Sequence, residues 1–404
     1  MPANRRTFED PRSRFLLQDA RRALAEGGEP LDLVFSGPSN PWVSGVASLF
    51  TVQFYQMVFG RLSDSGVFGQ WIHLYEMEDE LVLSILAGID QTFPDWNAYL
   101  VSAADILVVA GKQPIPEPDW SVVQLPGIAA DLSVAPPLTA GALGSLLLFD
   151  HRTMGPLLEG MRPNTDERPV LEERAERARF LGGGASGLFT FADHPVNLPR
   201  ILSRLPLSPV PYDPPAIIGI APLERRSLAG WLATEGRSGV QPPVEEWDSA
   251  LAGFTYFQSE LRSMRAPADW KVWFDQFSLV EQVLHGRAAG WIDETFYRDV
   301  ADYLIANRAP LTVEATVALV RGLRALDLET AAAAADQLRV TDPTVSQLLP
   351  PDVLLDATVA AYLGDAQPEK ARAAFDVMAP LTGRAPDHVR NQVMDALIRS
   401  ALQG

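Results

Sequence analysis

Cysteine is absent from all 404 residues, which excludes disulfides, thiolate nucleophiles and cysteine-based zinc sites. Basic residues are scarce: 33 Lys and Arg stand against 51 Asp and Glu, for a net charge of −18. Because the phosphates of nucleic acid require a basic surface, we expect no nucleic-acid partner. The acidic balance suits a cationic ligand such as a polyamine, although it is equally typical of an ordinary soluble protein.

The sequence also lacks any run of about 18 apolar residues, the length that a membrane-spanning helix needs. Its N-terminus, Met-Pro-Ala-Asn-Arg-Arg, has no apolar stretch of the kind found in secretory signals. We therefore expect no membrane span in this chain. A cytoplasmic location follows, or a membrane-associated one if the chain is a fragment of a longer protein. The five histidines form no HExxH motif, and Gly-x-Ser-x-Gly is absent, so zinc-hydrolase and serine-hydrolase signatures are missing.

Short apolar runs alternate with amphipathic segments over residues 1–112. The runs predict strands at 15–17, 31–35, 67–72, 98–101 and 106–109, and helical spacing predicts helices over 20–24, 49–62 and 78–93. Asp64-Ser65-Gly66 is expected to end the second helix. Strands separated by helices indicate a parallel sheet with crossover helices, and the last two strands are expected to pair.

The rest of the chain divides into two regions. Residues 113–244 form a Pro- and Gly-rich extension and linker, with helical patches predicted near 138–149 and 170–180 and a glycine-rich turn at 182–187. Residues 245–404 are predicted to be helical, and Ala315-Thr316-Val317-Ala318 recurs as Ala357-Thr358-Val359-Ala360, at an offset of 42. This repeat predicts tetratricopeptide-like helical hairpins, with a plain helical bundle as the alternative.

The segment from residue 31 to 71 carries a family resemblance. It contains LDLVFSGPSNPWVSGVASLFTVQFY and then RLSDSGVFGQW. Two shorter motifs lie upstream of it, Asp10-Pro11-Arg12 and Gln18-Asp19-Ala20-Arg21, and NTDERPVLE lies downstream, at 164–172. These motifs resemble the aminopropyltransferases, and in particular the spermidine-synthase-like proteins, over residues 4–175. The resemblance implies an α/β fold, a partial Rossmann-like sheet of the S-adenosylmethionine-methyltransferase type over 1–112. An all-α region of helical repeats or a bundle follows it.

The resemblance also implies roles for four positions. Asp19 matches the residue that contacts the adenine of the donor, with capping of the helix at Ala20 as an equal alternative. Asn40 and Gln70 match positions that hold the amine substrate, and Gln70 alternatively satisfies a strand-end backbone group. Gly37 stands where the family places its catalytic acid. Because amine attack requires a proton acceptor and glycine has none, no catalytic residue is assigned.

Two further sequence features near these positions have simpler explanations. Trp42 is expected to pack the loop that follows the 31–35 strand. The acidic run Glu76, Glu78, Asp79 and Glu80 is expected to stabilise a helix N-terminus, with attraction of a polyamine as the alternative.

The glycine-rich donor loop of the family has no counterpart before Asp19. A sheet without its first strands leaves an edge and a face uncovered, so we expect a protein partner to cover the sheet or to bind the helical repeats. Two hypotheses follow: a non-catalytic binding or scaffolding relative, or a fragment of an active aminopropyltransferase. The fragment would use decarboxylated S-adenosylmethionine as co-substrate, and no cofactor is otherwise expected. A methyltransferase-like activity is a third, weaker idea, since the donor loop is missing for it too.

Overall fold

A computed structural model describes residues 8–203 (apart from 39, 42, 44, 103, 117–118, 120, 123–124, 133–145, 194–195 and 197), 248–287, 294–340 and 348–403. None of the helices in these ranges is long and apolar enough to cross a membrane.

A mixed five-stranded sheet forms the centre of the N-terminal part. Its strands are β1 (Leu31–Ser36), β2 (Leu62–His73), β3 (Asp95–Ser102), β4 (Asp105–Gly111) and β5 (Leu147–Asp150), in the spatial order β1-β2-β4-β3-β5. β1 and β2 are parallel, and all other neighbouring pairs are antiparallel. The prediction of an α/β fold is therefore confirmed, whereas the expectation of a parallel sheet holds for one pair only.

The helices are α1 (Ala20–Ala25), α2 (Val52–Arg61), α3 (Asp79–Thr92), α4 (Pro126–Leu132), α5 (His151–Leu158), α6 (Val170–Phe180), α7 (Ser186–Asp193), α8 (Leu198–Leu202), α9 (Asp248–Ser263), α10 (Trp270–Arg287), α11 (Glu294–Ala306), α12 (Leu311–Ala325), α13 (Leu328–Val340), α14 (Pro351–Gly364), α15 (Pro368–Met378) and α16 (Val389–Gln403).

The two faces of the sheet differ in burial because strand side chains alternate between them. On β2, Phe68 and Ile72 are fully buried on the face covered by α2 and α3, whereas Val67 and Trp71 on the other face are only partly buried. Trp96 and Phe149 extend the buried face across β3 and β5. The open side of the sheet therefore lies on the face opposite α2 and α3.

Three local predictions were wrong. Phe15-Leu16-Leu17 forms no strand and is exposed to solvent. Asp64-Ser65-Gly66 does not end a helix but lies within β2, since α2 ends at Arg61 and the strand begins at Leu62. The helical patch near 138–149 is in part strand β5, and residues 138–145 lie outside the described residues.

The C-terminal region is helical, as predicted, and both copies of the repeat are helical hairpins. The first copy is α12 packed on α13, and the second is α14 packed on α15, joined by the turn at Gly364-Asp365. This arrangement favours the repeat interpretation over a plain bundle. Helices α14 and α16 also pack on α5, α7 and α8, so the helical region and the sheet-containing part share buried contacts.

A hydrogen bond between His151 on α5 and Asp90 on α3 makes the stability of the fold depend on pH. His151 Nδ1 lies 2.8 Å from Asp90 Oδ1, and this hydrogen bond raises the pKa of His151. A raised histidine pKa stabilises the fold below the unfolded value of about 6.5, and the contribution is lost as pH rises through the folded pKa. We expect the melting temperature to fall more steeply above about pH 6.5 in the native chain than in His151→Gln. Parallel curves for the two proteins would contradict this.

Candidate functional site

The carboxyl ends of β1 and β2 meet at Ser36 and Gln70, which are paired in register. Gln70 is fully buried, and its Nε2 donates to the backbone oxygens of Trp71 (3.0 Å) and Ser36 (3.4 Å). Because both partners are acceptors, the amide nitrogen must face them, which fixes the orientation of the side chain. The prediction that Gln70 satisfies a strand-end backbone group is thus confirmed.

The other end of the Gln70 amide has no protein partner among the described residues. Its Oε1 is buried and accepts no hydrogen bond there. A buried acceptor without a donor costs about 1–3 kcal/mol. The carboxyl end of the β1–β2 pair therefore contains a buried oxygen that lacks a hydrogen-bond donor among the described residues.

Gly37 lies in the exposed loop directly after β1. A Cβ at this position would lie 2.9 Å from Cε1 of Phe35, so any side chain here would have to displace the Phe35 ring. The neighbouring Ser36 supplies a hydroxyl that is mostly buried. A hydroxyl without an adjacent base does not remove a proton from an amine at neutral pH.

Asn40 lies beside residues that follow β2. Its Oδ1 accepts a hydrogen bond from the Tyr75 hydroxyl at 3.3 Å, and the Tyr75 ring lies 4.9 Å from the ring of His73. Burial raises the pKa of Tyr75, with Asp105 and Glu76 adding to the shift, so the hydroxyl remains a donor. The structure thus brings Asn40 and Tyr75 together at this edge.

His73 belongs to a polar group that sequence reasoning missed. Its Nδ1 lies 2.5 Å from Asp105 Oδ1, while Asp105 Oδ2 accepts from the Ser102 hydroxyl at 2.5 Å. The only sequence signal was position, since His73 directly follows one predicted strand and Asp105 directly precedes another. The contact orients the imidazole, but His73 lies on the opposite face of β2 from Gln70, so the two do not form a single site.

Asp19 is the N-cap of α1, and its side chain accepts a hydrogen bond from the backbone N–H of Arg22 at 2.9 Å. The helix-capping alternative is therefore confirmed. The adenine-contact role that the resemblance implied stays a prediction. Trp42 lies outside the described residues.

The acidic run after β2 is engaged within the protein. Arg174 bridges Glu78 and Glu80, and Glu76 pairs with Arg179. Asp79 accepts from the backbone N–H groups of residues 187 and 188 at the start of α7, and burial raises its pKa. These contacts support a structural role for the run. The glycine-rich turn beside it is held by a β-bridge between Tyr75 and Gly184.

Within the described ranges, no group of three or more His, Asp or Glu residues is arranged to hold a metal ion. Comparison with protein-family models finds no match to this chain, and neither does a search of curated proteins.

Proposed function

We propose that this chain is an aminopropyltransferase-like binding module, which holds an amine at the carboxyl end of β1 and β2 and does not transfer a group by itself. In this proposal the sheet is the later part of a Rossmann-like sheet of the methyltransferase type. A protein partner covers its open side.

The sheet supports this proposal through its open edge. β1 and β2 form a parallel pair joined by α2, the connection that builds doubly wound sheets. Parallel sheets are normally covered on both faces and continued at their edges. Here Leu33 and Phe35 of the edge strand β1 are 64% and 57% exposed, as expected where neighbouring strands and their covering helices are lacking.

The unpaired Oε1 of Gln70 is the feature on which amine binding depends. A primary or secondary ammonium group donates N–H bonds and accepts none, which matches an isolated buried carbonyl. The net charge of −18 also favours a cationic ligand. A linear polyamine fits both requirements.

The absence of transfer follows from Gly37. Transfer of a propylamine group requires that the attacking amine lose a proton, and position 37 offers no acceptor. Binding without turnover is the outcome that this residue favours.

Replacing Gln70 tests this function. We expect isothermal titration calorimetry to show that spermidine binds the full chain, and that Gln70→Leu weakens binding at least about tenfold, because the substitution removes the only acceptor proposed for the ammonium group. Decarboxylated S-adenosylmethionine and methylthioadenosine should release no binding heat.

Gln91→Leu is the matched control, since Gln91 is an exposed glutamine on α3. It should leave spermidine binding unchanged. Equal affinities of the native chain and Gln70→Leu would show that the Oε1 is satisfied by water alone and would remove the proposed amine site.

The alternative function is that of a fragment of an active aminopropyltransferase. The hydrogen-bonded pair Asn40 and Tyr75 at the carboxyl edge favours it, because an active enzyme needs polar side chains there to hold its substrate. Conversion of putrescine and decarboxylated S-adenosylmethionine to spermidine by the purified chain would establish the alternative. No product over the same period, with spermidine binding intact, would favour the non-catalytic module.

A further inference from the structure

Two apolar features of the N-terminal part are exposed to solvent. One is the outer edge of β1, with Leu33 and Phe35. The other is the segment 13–18, in which Phe15, Leu16 and Leu17 are 58%, 66% and 103% exposed. Large apolar side chains clustered in this way mark interaction surfaces more often than isolated ones do.

The outer edge of β1 carries one charged side chain, Asp32, and otherwise lacks the usual protection against strand addition. Within the described residues β1 pairs with β2 alone, so every second backbone N–H and C=O along it points outward. Leu31–Ser36 contains neither lysine nor proline, the residues that commonly block an edge. The Phe35 ring lies over Gly37 and Gly69, where a Cβ would come within 2.9 Å and 3.1 Å of the ring.

The segment 13–18 has the properties of an unpaired strand. Its backbone forms neither helix nor strand, and from residue 14 to 18 it makes no hydrogen bond to other described residues. Both ends are anchored: the Ser13 N–H donates to the Asp10 carbonyl, and Asp19 caps α1, which packs on α2. The residues at both ends of the segment are therefore fixed, and the apolar side chains between them project from a defined position.

We propose that two copies of the chain associate reciprocally, the segment 13–18 of each copy adding as a strand to the outer edge of β1 in the other. Both elements are six residues long, about 20 Å when extended. Strand addition satisfies the outward backbone groups of β1 and the unpaired ones of the segment together. Reciprocal exchange makes two identical contacts and closes the assembly as a twofold dimer.

The apolar surface available is close to what a dimer requires. Each copy contributes five exposed large apolar side chains: Phe15, Leu16, Leu17, Leu33 and Phe35. Because the side chains of a strand alternate between its faces, Phe15 and Leu17 share the face of Leu33 and Phe35, and Leu16 lies on the other face. At about 100 Å² each, the eight side chains on the shared face come to about 800 Å² before backbone atoms are counted, against roughly 1,200–2,000 Å² for specific interfaces. The inference rests on the part of the proposed function in which a protein covers the open sheet, and it does not require the amine site.

Sedimentation velocity of the full chain, from low to high micromolar concentration, tests the dimer. We expect a dimer for the native chain and at least about tenfold weaker association for Leu33→Lys and for Leu17→Lys, because each places a charge on the apolar face that the two strands share. A synthetic peptide of residues 11–19 should dissociate the native dimer and should bind Leu17→Lys.

Ile305→Lys is the control, since Ile305 is 71% exposed on α11, outside both elements. It should remain dimeric, and circular dichroism should show that all three variants fold. A chain that is monomeric throughout, or a dimer unaffected by Leu33→Lys and Leu17→Lys, would overturn the proposal. Loss of the dimer in Leu33→Lys alone would also overturn it, since it would indicate pairing of β1 with β1.

Spermidine titrations of the same proteins separate this inference from the amine site. A monomer that binds spermidine would refute the reciprocal dimer and leave the amine site standing. A dimer that is weakened by both substitutions and binds no spermidine would support the reciprocal dimer and refute the amine site.

Discussion

Replacing Asp356 by alanine is expected to destabilise the protein by about 3–5 kcal/mol, because it leaves a buried cation without its counter-ion. Asp356 lies on α14 with no exposed surface, and its Oδ2 is 2.6 Å from Nη2 of Arg390, whose side chain is also fully buried. Asp356 Oδ1 pairs with Arg384 at 2.7 Å. Urea unfolding should show a lower midpoint for Asp356→Ala.

The same substitution should loosen the contact between the helical region and the sheet-containing part. Arg390 of α16 donates to the backbone oxygens of Thr190 (3.2 Å) and Val196 (3.3 Å), and its guanidinium lies 4.8 Å from the centre of the Phe191 ring. Without Asp356 these contacts must hold an uncompensated charge. Hydrogen exchange should therefore accelerate together in α16 and α7, which a purely local effect within α14 would not produce.

Asp376→Ala is the matched control for Asp356→Ala. Asp376 pairs with Arg372 at 3.3 Å on the surface of α15, with its side chain 60% exposed. An exposed helical pair of this kind contributes at most about 0.5 kcal/mol. If the two substitutions lowered the unfolding midpoint equally, the buried network would not have the role assigned to it.

The elements that the sequence predicted correctly are those whose evidence is local. Strands β1 to β4 each contain an apolar run, and the repeat of Ala315–Ala318 at 357–360 identified the two hairpins. Such patterns arise because one face of the helix or strand is buried, and the spacing of apolar residues along the sequence indicates that burial directly.

The elements that were predicted wrongly depend on distant parts of the chain. Phe15-Leu16-Leu17 has the composition of a buried strand, but it pairs with no strand of the described chain and is exposed. β5 is only four residues long and is defined by its pairing with β3, about fifty residues earlier. A short apolar run does not reveal by itself whether it is helix, strand or exposed segment.

The contacts at the candidate site could not be predicted from local sequence patterns either. Family resemblance singled out Gln70 and Asn40, but neither the unpaired Oε1 of Gln70 nor the contact of Asn40 with Tyr75 could be read from spacing. The pairing of His73 with Asp105 joins residues 32 positions apart through the register of β2 and β4. Such contacts follow from sheet register, which the apolar pattern alone did not supply.

Substituting Gly322 by alanine should destabilise the first hairpin by about 1–3 kcal/mol, although alanine is the better helix former. Gly322 lies where α12 crosses the start of α13. A Cβ there would lie 2.8 Å from the backbone nitrogen of Ala331 and 2.9 Å from the backbone oxygen of Asp327. Backbone atoms cannot rotate away as a side chain can, so the two helices must separate. Thermal and urea unfolding would measure the loss.

Two other glycines separate this steric effect from helix propensity. Gly364 occupies the equivalent position of the second repeat, at the same offset of 42, but its Cβ would meet the end of the Leu328 side chain. Since that side chain can change rotamer, Gly364→Ala should cost less than Gly322→Ala. Gly60 on α2 is exposed with open space around it, so Gly60→Ala should stabilise the protein by up to about 1 kcal/mol. A stabilising Gly322→Ala would mean that α12 and α13 do not approach as closely as described.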